Sequence, residues 1–499
     1  MRDKVSLKDQ VIPSLYKKTF TRNNNQLMRY LILFLISAFL IKIATAQDIF
    51  FTKPYLQIGH DPSATSIDIL WHTLDVNGEW SVEFQKDQNG TWNKCIQPVF
   101  KKVLVKNATP HRVYKTNFAG LIPGSKFSYR ILKDGKIVFT ATAKAPKIKD
   151  QSYRFVTFGD IGAMTTDQKL LAKLVYDSDP DFVMVAGDIV YEYGLISDYR
   201  EKFWPVYNAD KADTSGAPIM RSIPFIAAVG NHDADSRDLD KAPDALSYYM
   251  YWDQPLNGPV GKEGGTLVPV LKASDQNRKA FMDAAGENYP VMSNYSFDYG
   301  NAHWTILDSD PYVDWTDSTL IKWVDNDLEK AQQATWRFVV FHHPGFSSSK
   351  EHFEQQQMRL LSPIFDKEKV DIVFSGHVHN YQRSFPMQFV PDKKGVLLVG
   401  GKDKTVRGRV VNGSWKLDRS FDGSKNTKAK GVIYIVTGAG GQELYNPEQT
   451  NDPDSWQKFT DKFISDVHSL TVVDVSGKKI ILKQISAAGK ELDRFTITK

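Results

Sequence analysis

The sequence predicts an α/β domain with mixed sheets between helices, and a smaller all-β sandwich before it. Short runs of alternating polar and apolar residues occupy residues 47–148, which is typical of half-buried strands. From residue 149 to residue 499, continuous apolar runs alternate with helical stretches, as in sheets that are covered on both faces. With 29 Phe, 21 Tyr and 11 Trp, the chain has far more aromatic residues than a disordered protein.

Residues 1–46 have the features of a secretory signal peptide. The apolar run at residues 31–41 has eleven residues, whereas a helix needs about 20 to span a bilayer. Arg29 precedes this run and Ala44-Thr45-Ala46 follows it, which is the arrangement of a signal peptide and its cleavage site. We therefore expect cleavage before Gln47 and a secreted or periplasmic chain, with an uncleaved membrane anchor as the alternative.

The formal net charge of +5 belongs to this leader. Residues 1–46 hold eight basic and two acidic side chains, so the chain from Gln47 onward has a formal charge near −1. Because nucleic-acid-binding proteins have a basic excess, we expect no specific nucleic-acid binding. No second apolar run approaches 18 residues, so we expect no stable membrane span after cleavage. Cys95 is the single cysteine, which excludes an internal disulfide and leaves the oligomeric state open.

Turn sequences separate the strands of the first part. Residues 66–71 alternate polar and apolar side chains, and Asn89-Gly90 and Asp134-Gly135 are turn signals. Residues 121–130 resemble the late strands of a fibronectin type III domain. Catalytic residue types do not cluster here, so we expect a packing or spacing role, with a ligand-binding role as the alternative.

Each predicted buried strand of the second part ends in a polar motif. Ligand sites in open α/β sheets form outside the carboxyl ends of the strands, so five such ends would bring these side chains together. Mixed carboxylate, amide and imidazole donors suit iron, manganese or zinc. One such motif is often only a turn, but five in the same context predict a metal site. The motifs are Gly159-Asp160-Ile161-Gly162, Gly187-Asp188-Ile189-Val190-Tyr191, Gly230-Asn231-His232-Asp233, His342-His343-Pro344 and Gly376-His377-Val378-His379.

This set of motifs resembles the calcineurin-like metallophosphoesterases and, within them, the purple acid phosphatases. The distinguishing feature is Tyr191, three residues after Asp188. The resemblance extends from about Pro54 to Lys499, and residues 235–290 are a poorly matched insertion next to the site. It implies a four-layer metallophosphoesterase sandwich, with mixed sheets flanked by helices, after a fibronectin III-like N-terminal domain.

The resemblance implies a pair of metal ions with a fixed set of ligands. A tyrosinate ligand requires a strongly polarising ion, so the first metal would be Fe(III), and the second Zn, Fe(II) or Mn(II). The implied ligands are Asp160, Tyr191 and His379 for the first ion, Asn231, His342 and His377 for the second, and Asp188 as the bridge between them.

The resemblance also implies an acid phosphatase-like hydrolase of small phosphate monoesters, acting by attack of a metal-bound hydroxide. His232 would give a proton to the leaving group, and orientation of the ligands is its alternative role. His352 would contact the substrate, although Glu351 beside it would oppose an anionic one. The aromatic run at residues 248–252 would either stack on the leaving group or form a small core.

Two other functions remain open from the sequence. The same residues would serve a phosphodiesterase or nucleotidase that uses Mn or Zn. A non-catalytic exported binding protein would be missing ligands, yet every ligand position is filled. Tyr191 distinguishes the metal pairs, because an absorption band that Tyr191→Phe abolishes would indicate Fe(III), whereas a colourless active enzyme would exclude it.

Overall fold

Two antiparallel sheets of four strands each make up the first part of the described chain. The computed structural model describes residues 49–87, 90–392 and 410–499, so the predicted signal peptide lies outside the described residues. One sheet has the order β1-β2-β6-β5 and the other β4-β3-β7-β8. The strands are β1 (Thr52–Gln57), β2 (Ser66–Leu74), β3 (Trp80–Phe84), β4 (Asn93–Lys94), β5 (Val99–Val103), β6 (His111–Ala119), β7 (Lys126–Lys133) and β8 (Lys136–Lys144).

A shared apolar core joins these two sheets. Trp71 and Tyr114 stack with their rings 5.3 Å apart, and Trp80 and Phe127 belong to the same buried cluster. The prediction of a β-rich first part is therefore confirmed, while its identity as a fibronectin type III domain stays a prediction.

The second part is built on two larger mixed sheets and two short hairpins. The larger sheets have the orders β13-β10-β9-β23-β24-β25 and β14-β15-β16-β17-β21-β18-β22. The strands are β9 (Tyr153–Phe158), β10 (Phe182–Val185), β11 (Asn208–Asp213), β12 (Gly216–Pro218), β13 (Phe225–Ala227), β14 (Tyr295–Tyr299), β15 (Ala302–Leu307), β16 (Trp336–Phe341), β17 (Ile372–Ser375), β18 (Tyr381–Ser384), β19 (Met387–Pro391), β20 (Gly413–Leu417), β21 (Ile433–Thr437), β22 (Thr460–Ile464), β23 (Ser469–Ser476), β24 (Lys479–Ser486) and β25 (Glu491–Thr498).

Strand directions explain where polar motifs collect. In the first sheet β9, β10 and β13 are parallel, and in the second β15, β16, β17 and β21 are parallel. The chain end returns to the first sheet, because β23 pairs antiparallel with β9. The mixed sheets that the sequence predicts are thus present.

Helices and single helical turns connect these strands. The helix at Thr166–Asp177 has the predicted bounds, and the Thr165 hydroxyl caps it by accepting a hydrogen bond from the backbone N–H of Gln168. Among the described residues no helix is long and apolar enough to cross a membrane. The other α-helices are Ile196–Asp198, Trp204–Tyr207, Asn231–Ala234, Ser247–Tyr251, Asp275–Ala285, Asn288–Val291, Ser318–Lys330 and Ser362–Lys367; Tyr199–Phe203 is a π-helical turn, and Ala331–Gln333, Gln357–Leu361, Pro447–Asn451 and Pro453–Ser455 are 3₁₀ turns.

Alternate residues of each large sheet pack in opposite directions. Phe155 of the first sheet packs with Trp304 of the second in one buried cluster, whereas its neighbour Val156 packs with Leu171 of the helix Thr166–Asp177. Similarly, Val339 packs with helix Ser318–Lys330. The cluster of Phe155 and Trp304 holds the two sheets together, and the other two join helices to the sheets. The complete four-layer order stays a prediction.

Buried histidines connect the first part to the second. His72 and His111 are fully buried with their rings 5.6 Å apart. The Tyr55 hydroxyl lies 3.0 Å from His72 Nε2, and the hydroxyl of Tyr251, from the insertion, lies 3.0 Å from His111 Nε2. Burial and the charge of Arg200 lower the pKa of His111 to about 4, and burial with the neighbouring His111 lowers that of His72.

We expect acid to destabilise the fold through these two histidines. Because their folded pKa values lie below the unfolded value near 6.5, the unfolded chain binds more protons as the pH falls. His111 alone would remove up to about 3 kcal/mol of unfolding free energy between pH 6.5 and pH 4. Urea unfolding measured across this range checks the slope, and His111→Gln should flatten it.

His303 provides a control of opposite sign. Burial lowers its pKa, but hydrogen bonds with Asp298 and Asp327 raise it to about 9. Its contribution is complete below pH 6.5 and is lost as the pH rises through 9. His303→Gln should therefore flatten the alkaline side and leave the acid slope; an acid slope unchanged in His111→Gln would contradict the assignment.

Candidate metal centre

All seven side chains that the sequence predicts as metal ligands come together at strand ends. Asp160, Asp188 and Asn231 follow β9, β10 and β13 of the first sheet, and His342 and His377 follow β16 and β17 of the second. Tyr191 and His379 complete the set. Which of these side chains bind metal stays a prediction, but the structure places every one of them in a single site.

Three possible ligand atoms surround the Tyr191 hydroxyl. Its oxygen lies 3.0 Å from Asp160 Oδ1, 3.1 Å from Asp188 Oδ2 and 3.2 Å from His379 Nε2. His379 Nε2 lies 3.4 Å from Asp160 Oδ1. With metal–ligand bonds of about 2.1 Å, ligand atoms on one ion lie roughly 3 Å apart. The spacing of these donors therefore fits a single ion.

A second donor set shares Asp188 with the first. His342 Nε2 lies 3.1 Å from Asp188 Oδ2, and donor atoms of Asp188, His342 and His377 all lie within 4.8 Å of one another. The side-chain oxygen of Asn231 is buried without a hydrogen-bond partner among the described residues. Since buried amide oxygens are nearly always bonded, this atom fits a position on a cation.

Hydrogen bonds fix the orientation of three imidazoles. His342 Nδ1 lies 2.8 Å from the Ala186 carbonyl oxygen, and His379 Nδ1 lies 2.6 Å from the Glu443 carbonyl oxygen. His377 Nε2 lies 2.7 Å from the side-chain oxygen of Gln355. Each ring therefore donates through one nitrogen and keeps the other as a lone-pair donor for a metal.

Charges in the site are strongly coupled. Burial alone lowers the pKa of His342, but the Asp188 and Asp160 carboxylates raise it to about 10. Burial opposes ionisation of Asp188, yet His342 and His232 hold its pKa below the usual range. Burial and the two carboxylates raise the pKa of Tyr191 well above 10. A metal displaces protons from such ligands, and only a strongly polarising ion would ionise Tyr191.

The turns that carry the ligands have unusual backbone conformations. Asp160, Asp188 and His377 have positive φ values of 61°, 50° and 66°. Non-glycine residues in this region are uncommon, and such strain concentrates at functional sites.

Two glycines leave room for the ligands. A Cβ atom on Gly187 would lie 2.4 Å from the His342 ring, and its φ of 84° already favours glycine. A Cβ atom on Gly230 would lie 2.2 Å from Asp188 Oδ1. Gly187 therefore permits close approach of strand ends from the two sheets, and Gly230 permits close approach of two strand ends within the first sheet.

The two predicted substrate-contacting histidines both line the cavity above the donors. His232 Nδ1 lies 2.7 Å from the Glu192 carbonyl oxygen, and Nε2 lies 4.0 Å from Asp188 Oδ2. The His352 ring lies 4.1 Å from the His377 ring, and His352 Nδ1 is 3.2 Å from the side-chain nitrogen of Gln355. Glu351 is exposed and lies outside this lining.

Sequence reasoning missed several residues of the site. Gln355 orients His377, and Tyr445 stacks on His379 with ring centroids 4.1 Å apart. Tyr445 follows β21 and the glycine-rich run 438–441, so the pattern of a strand followed by glycine was a usable signal. Gln355 carried no such signal, because only the tertiary fold brings it to His377.

The aromatic run of the insertion packs into the core, and a different residue of the insertion lines the cavity. Residues 248–252 are all buried within a large apolar core, and none of them lines the cavity. They are therefore core residues and are not placed to stack on a leaving group. Arg237, near the start of the insertion, lines the cavity instead.

Comparison with known proteins identifies a family match within the second part of the chain. Residues 153–381 match the family described as calcineurin-like phosphoesterase. The chain is 28% identical over 288 residues to purple acid phosphatase 1 of Ipomoea batatas, covering 56% of this chain and 53% of that one. It is 27% identical over 424 residues to probable inactive purple acid phosphatase 27 of Arabidopsis thaliana, covering 78% and 58%. The chain thus spans little more than half the length of these relatives.

Solved structures agree at the level of the fold. The purple acid phosphatase PPD1 from yellow lupin (Lupinus luteus) seeds superposes with a TM-score of 0.62 at 17% identity, covering 90% of this chain and 75% of that one. PhoD superposes with a TM-score of 0.55 at 12% identity, covering 91% of each chain. Residues 153–381 of the chain thus form a calcineurin-like metallophosphoesterase domain, and purple acid phosphatases are among the homologues of the chain.

Proposed function

We propose that this chain is a phosphatase that hydrolyses small phosphate monoesters at a dinuclear metal site. The observation that carries the proposal is the pair of donor sets joined at Asp188, which opens into a cavity of about 640 Å³. Export through the predicted leader is part of the proposal and rests on sequence alone.

The donor chemistry supports a mixed metal pair. Asp160, Tyr191 and His379 would hold a trivalent ion, Fe(III), because Tyr191 needs a strongly polarising partner. A set that combines one amide oxygen with two imidazoles suits Zn, Fe(II) or Mn(II). When bound, such a pair supplies Lewis acidity and activated water for phosphoester hydrolysis.

The cavity histidines would act on the substrate. His232 Nδ1 donates a hydrogen bond to the Glu192 carbonyl oxygen. The other ring nitrogen, Nε2, would therefore give a proton to the leaving oxygen in the cavity. His352 would contact a phosphoryl oxygen from the opposite wall, where it packs on His377. Both assignments rest on position in the cavity.

Some relatives carry names that mark them as inactive, so activity has to be argued from this chain. All seven donor positions hold side chains able to bind metal, and the Asn231 oxygen has no other partner among the described residues. An unbonded buried amide oxygen favours a bound cation at this position over a binding protein that holds no metal. These features favour an active hydrolase.

Metal content tests the shared role of Asp188. We expect two equivalents of metal in the wild-type protein, and Asp188→Asn should lose at least one because it removes the carboxylate common to both donor sets. Plasma mass spectrometry of folded, dialysed protein measures this. Asp298→Asn is the matched control, since Asp298 is exposed and pairs with His303. Two equivalents retained in Asp188→Asn would contradict the assignment.

Substrate preference tests the proposed reaction. We expect a higher kcat/KM for p-nitrophenyl phosphate than for bis(p-nitrophenyl) phosphate, because the dianionic monoester is more strongly attracted to a cationic centre. The absorbance of released nitrophenolate is followed across pH for metal-loaded protein. A preference for the diester would favour the phosphodiesterase alternative, and no hydrolysis of either would exclude the phosphatase.

Leaving-group dependence tests His232. His232→Gln should lower kcat for alkyl phosphates by about 10²-fold or more, because a poor leaving group needs a proton. The loss should be much smaller with p-nitrophenyl phosphate, whose leaving group departs as the anion. His352→Gln serves as the comparison and should affect both esters alike. An equal loss on both esters in His232→Gln would leave His232 only an orienting role.

A further inference from the structure

The cavity extends well beyond the metal donors. Its volume of about 640 Å³ is in the range that takes a whole small organic ligand, and a phosphate group fills only a small part of it. The donor side is lined by residues such as Asp188 and His377, and Arg237 and Tyr312 line another part. The residues around this remaining space decide which alcohol group the site accepts.

Arg237 is held in this wall by its backbone and by an aromatic ring. It follows the short helix Asn231–Ala234, which carries His232. Its backbone N–H donates to the Asp235 carbonyl at 3.1 Å, and its carbonyl accepts from the backbone N–H of Lys272 at 3.0 Å. The guanidinium carbon lies 4.9 Å from the centroid of the Tyr312 ring.

Within the described part of the chain, the N–H groups of the Arg237 guanidinium have no bonded acceptor. Among the described residues, no carboxylate lies within 4.0 Å of this group, and no acceptor forms a hydrogen bond with it. Packing of one face on Tyr312 leaves the edge, where the N–H groups lie, available to a ligand. Arg237 is half-buried, lines the cavity and has no acceptor among the described residues, so its guanidinium is available to a substrate.

Two buried acidic side chains, Asp308 and Asp310, interact electrostatically with Arg237 but do not contact it directly. One oxygen of Asp308 accepts from the Tyr312 hydroxyl at 2.5 Å, and the other accepts from the backbone N–H of Asp310 at 2.9 Å. Asp310 is only 2% exposed, and neither of its carboxyl oxygens has a hydrogen-bond partner among residues 49–87, 90–392 and 410–499. Burial and the nearby Asp308 raise the pKa of Asp310 well above its usual range, which favours its neutral form.

We propose that Arg237 binds a second phosphate group carried by the alcohol part of the substrate. The preferred substrates would then be bisphosphorylated compounds, with one phosphate at the metal donors and the other on the guanidinium. The planar fork of arginine suits a phosphate because two N–H groups bond two oxygens at once. This inference rests on the proposed function for the position of the first phosphate.

Binding of non-hydrolysable analogues tests Arg237 without turnover. Calorimetry on metal-loaded protein compares alkane-α,ω-diylbis(phosphonates) with spacers of two, four and six carbons against butylphosphonate. We expect the wild-type protein to prefer a bisphosphonate, and Arg237→Gln to reduce that preference about tenfold, as for loss of a charge-assisted hydrogen-bonded pair. Arg237→Lys should keep part of it, because the charge remains and the fork is lost.

Lys241→Gln is the matched control. It removes one positive charge from the same insertion, but Lys241 is exposed and lies 3.6 Å from Asp238, outside the cavity lining. The Lys241→Gln protein should prefer bisphosphonates to the same extent as the wild type. An Arg237→Gln protein with normal melting temperature and an unchanged preference at every spacer length would overturn the proposal.

A kinetic arm separates this inference from the proposed function. The ratio of kcat/KM for adenosine 3′,5′-bisphosphate to that for adenosine 5′-monophosphate should fall in Arg237→Gln, mainly through KM. If the wild type hydrolyses neither ester but Arg237→Gln still loses bisphosphonate preference, the phosphatase proposal fails and the binding of a second phosphate by Arg237 is supported. If the wild type is active and Arg237→Gln changes neither the kcat/KM ratio nor the binding preference, the proposal for Arg237 fails and the phosphatase proposal is unaffected.

Discussion

The contact between the two mixed sheets is the constraint on which the rest of the molecule depends. Aromatic rings fill the space between them, and Trp304 lies 4.9 Å from Phe155 and 4.5 Å from Phe338, measured between ring centroids. Because this apolar layer fixes the sheets face to face, strand ends from both meet at one edge. Ala186 and His342, which are 156 positions apart in sequence, form a hydrogen bond there. The donor sets therefore depend on apolar packing that contains none of the seven predicted ligands.

Backbone groups provide a second level of order within the site. Carbonyl oxygens of Ala186 and Glu443 orient His342 and His379, and the Glu192 carbonyl orients His232. Ala186 and Glu192 lie in the loop after β10, and Glu443 lies in the loop after β21. The orientation of each ring therefore depends on the position of one of these two loops. The orientation of these side chains consequently depends on the backbone around them. A ligand residue moved to another loop would lose the hydrogen bond that orients it.

Much of the fold and the donor set could be predicted from sequence because both follow local patterns. Apolar runs gave the buried strands, the helix Thr166–Asp177 had a clear cap, and polar motifs at strand ends identified the donors. Residues such as Gln355 and Arg237 could not be predicted, since only tertiary folding brings them to the cavity. The aromatic run 248–252 was ambiguous because composition does not distinguish a buried ring from one that lines a cavity. The leader lies outside the described residues and still rests on sequence.

The left-handed backbone at Asp160, Asp188 and His377 restricts the chemistry available to this site. Aspartate, asparagine and histidine tolerate that conformation better than other non-glycine residues, and all three are metal ligands. Glutamate offers the same carboxylate on a longer stem but has no such tolerance. At these turns, an aspartate-to-glutamate substitution would therefore strain the backbone and also change the length of the side chain. The main-chain geometry thus limits which residue types natural variation can place at these positions, whichever metal binds.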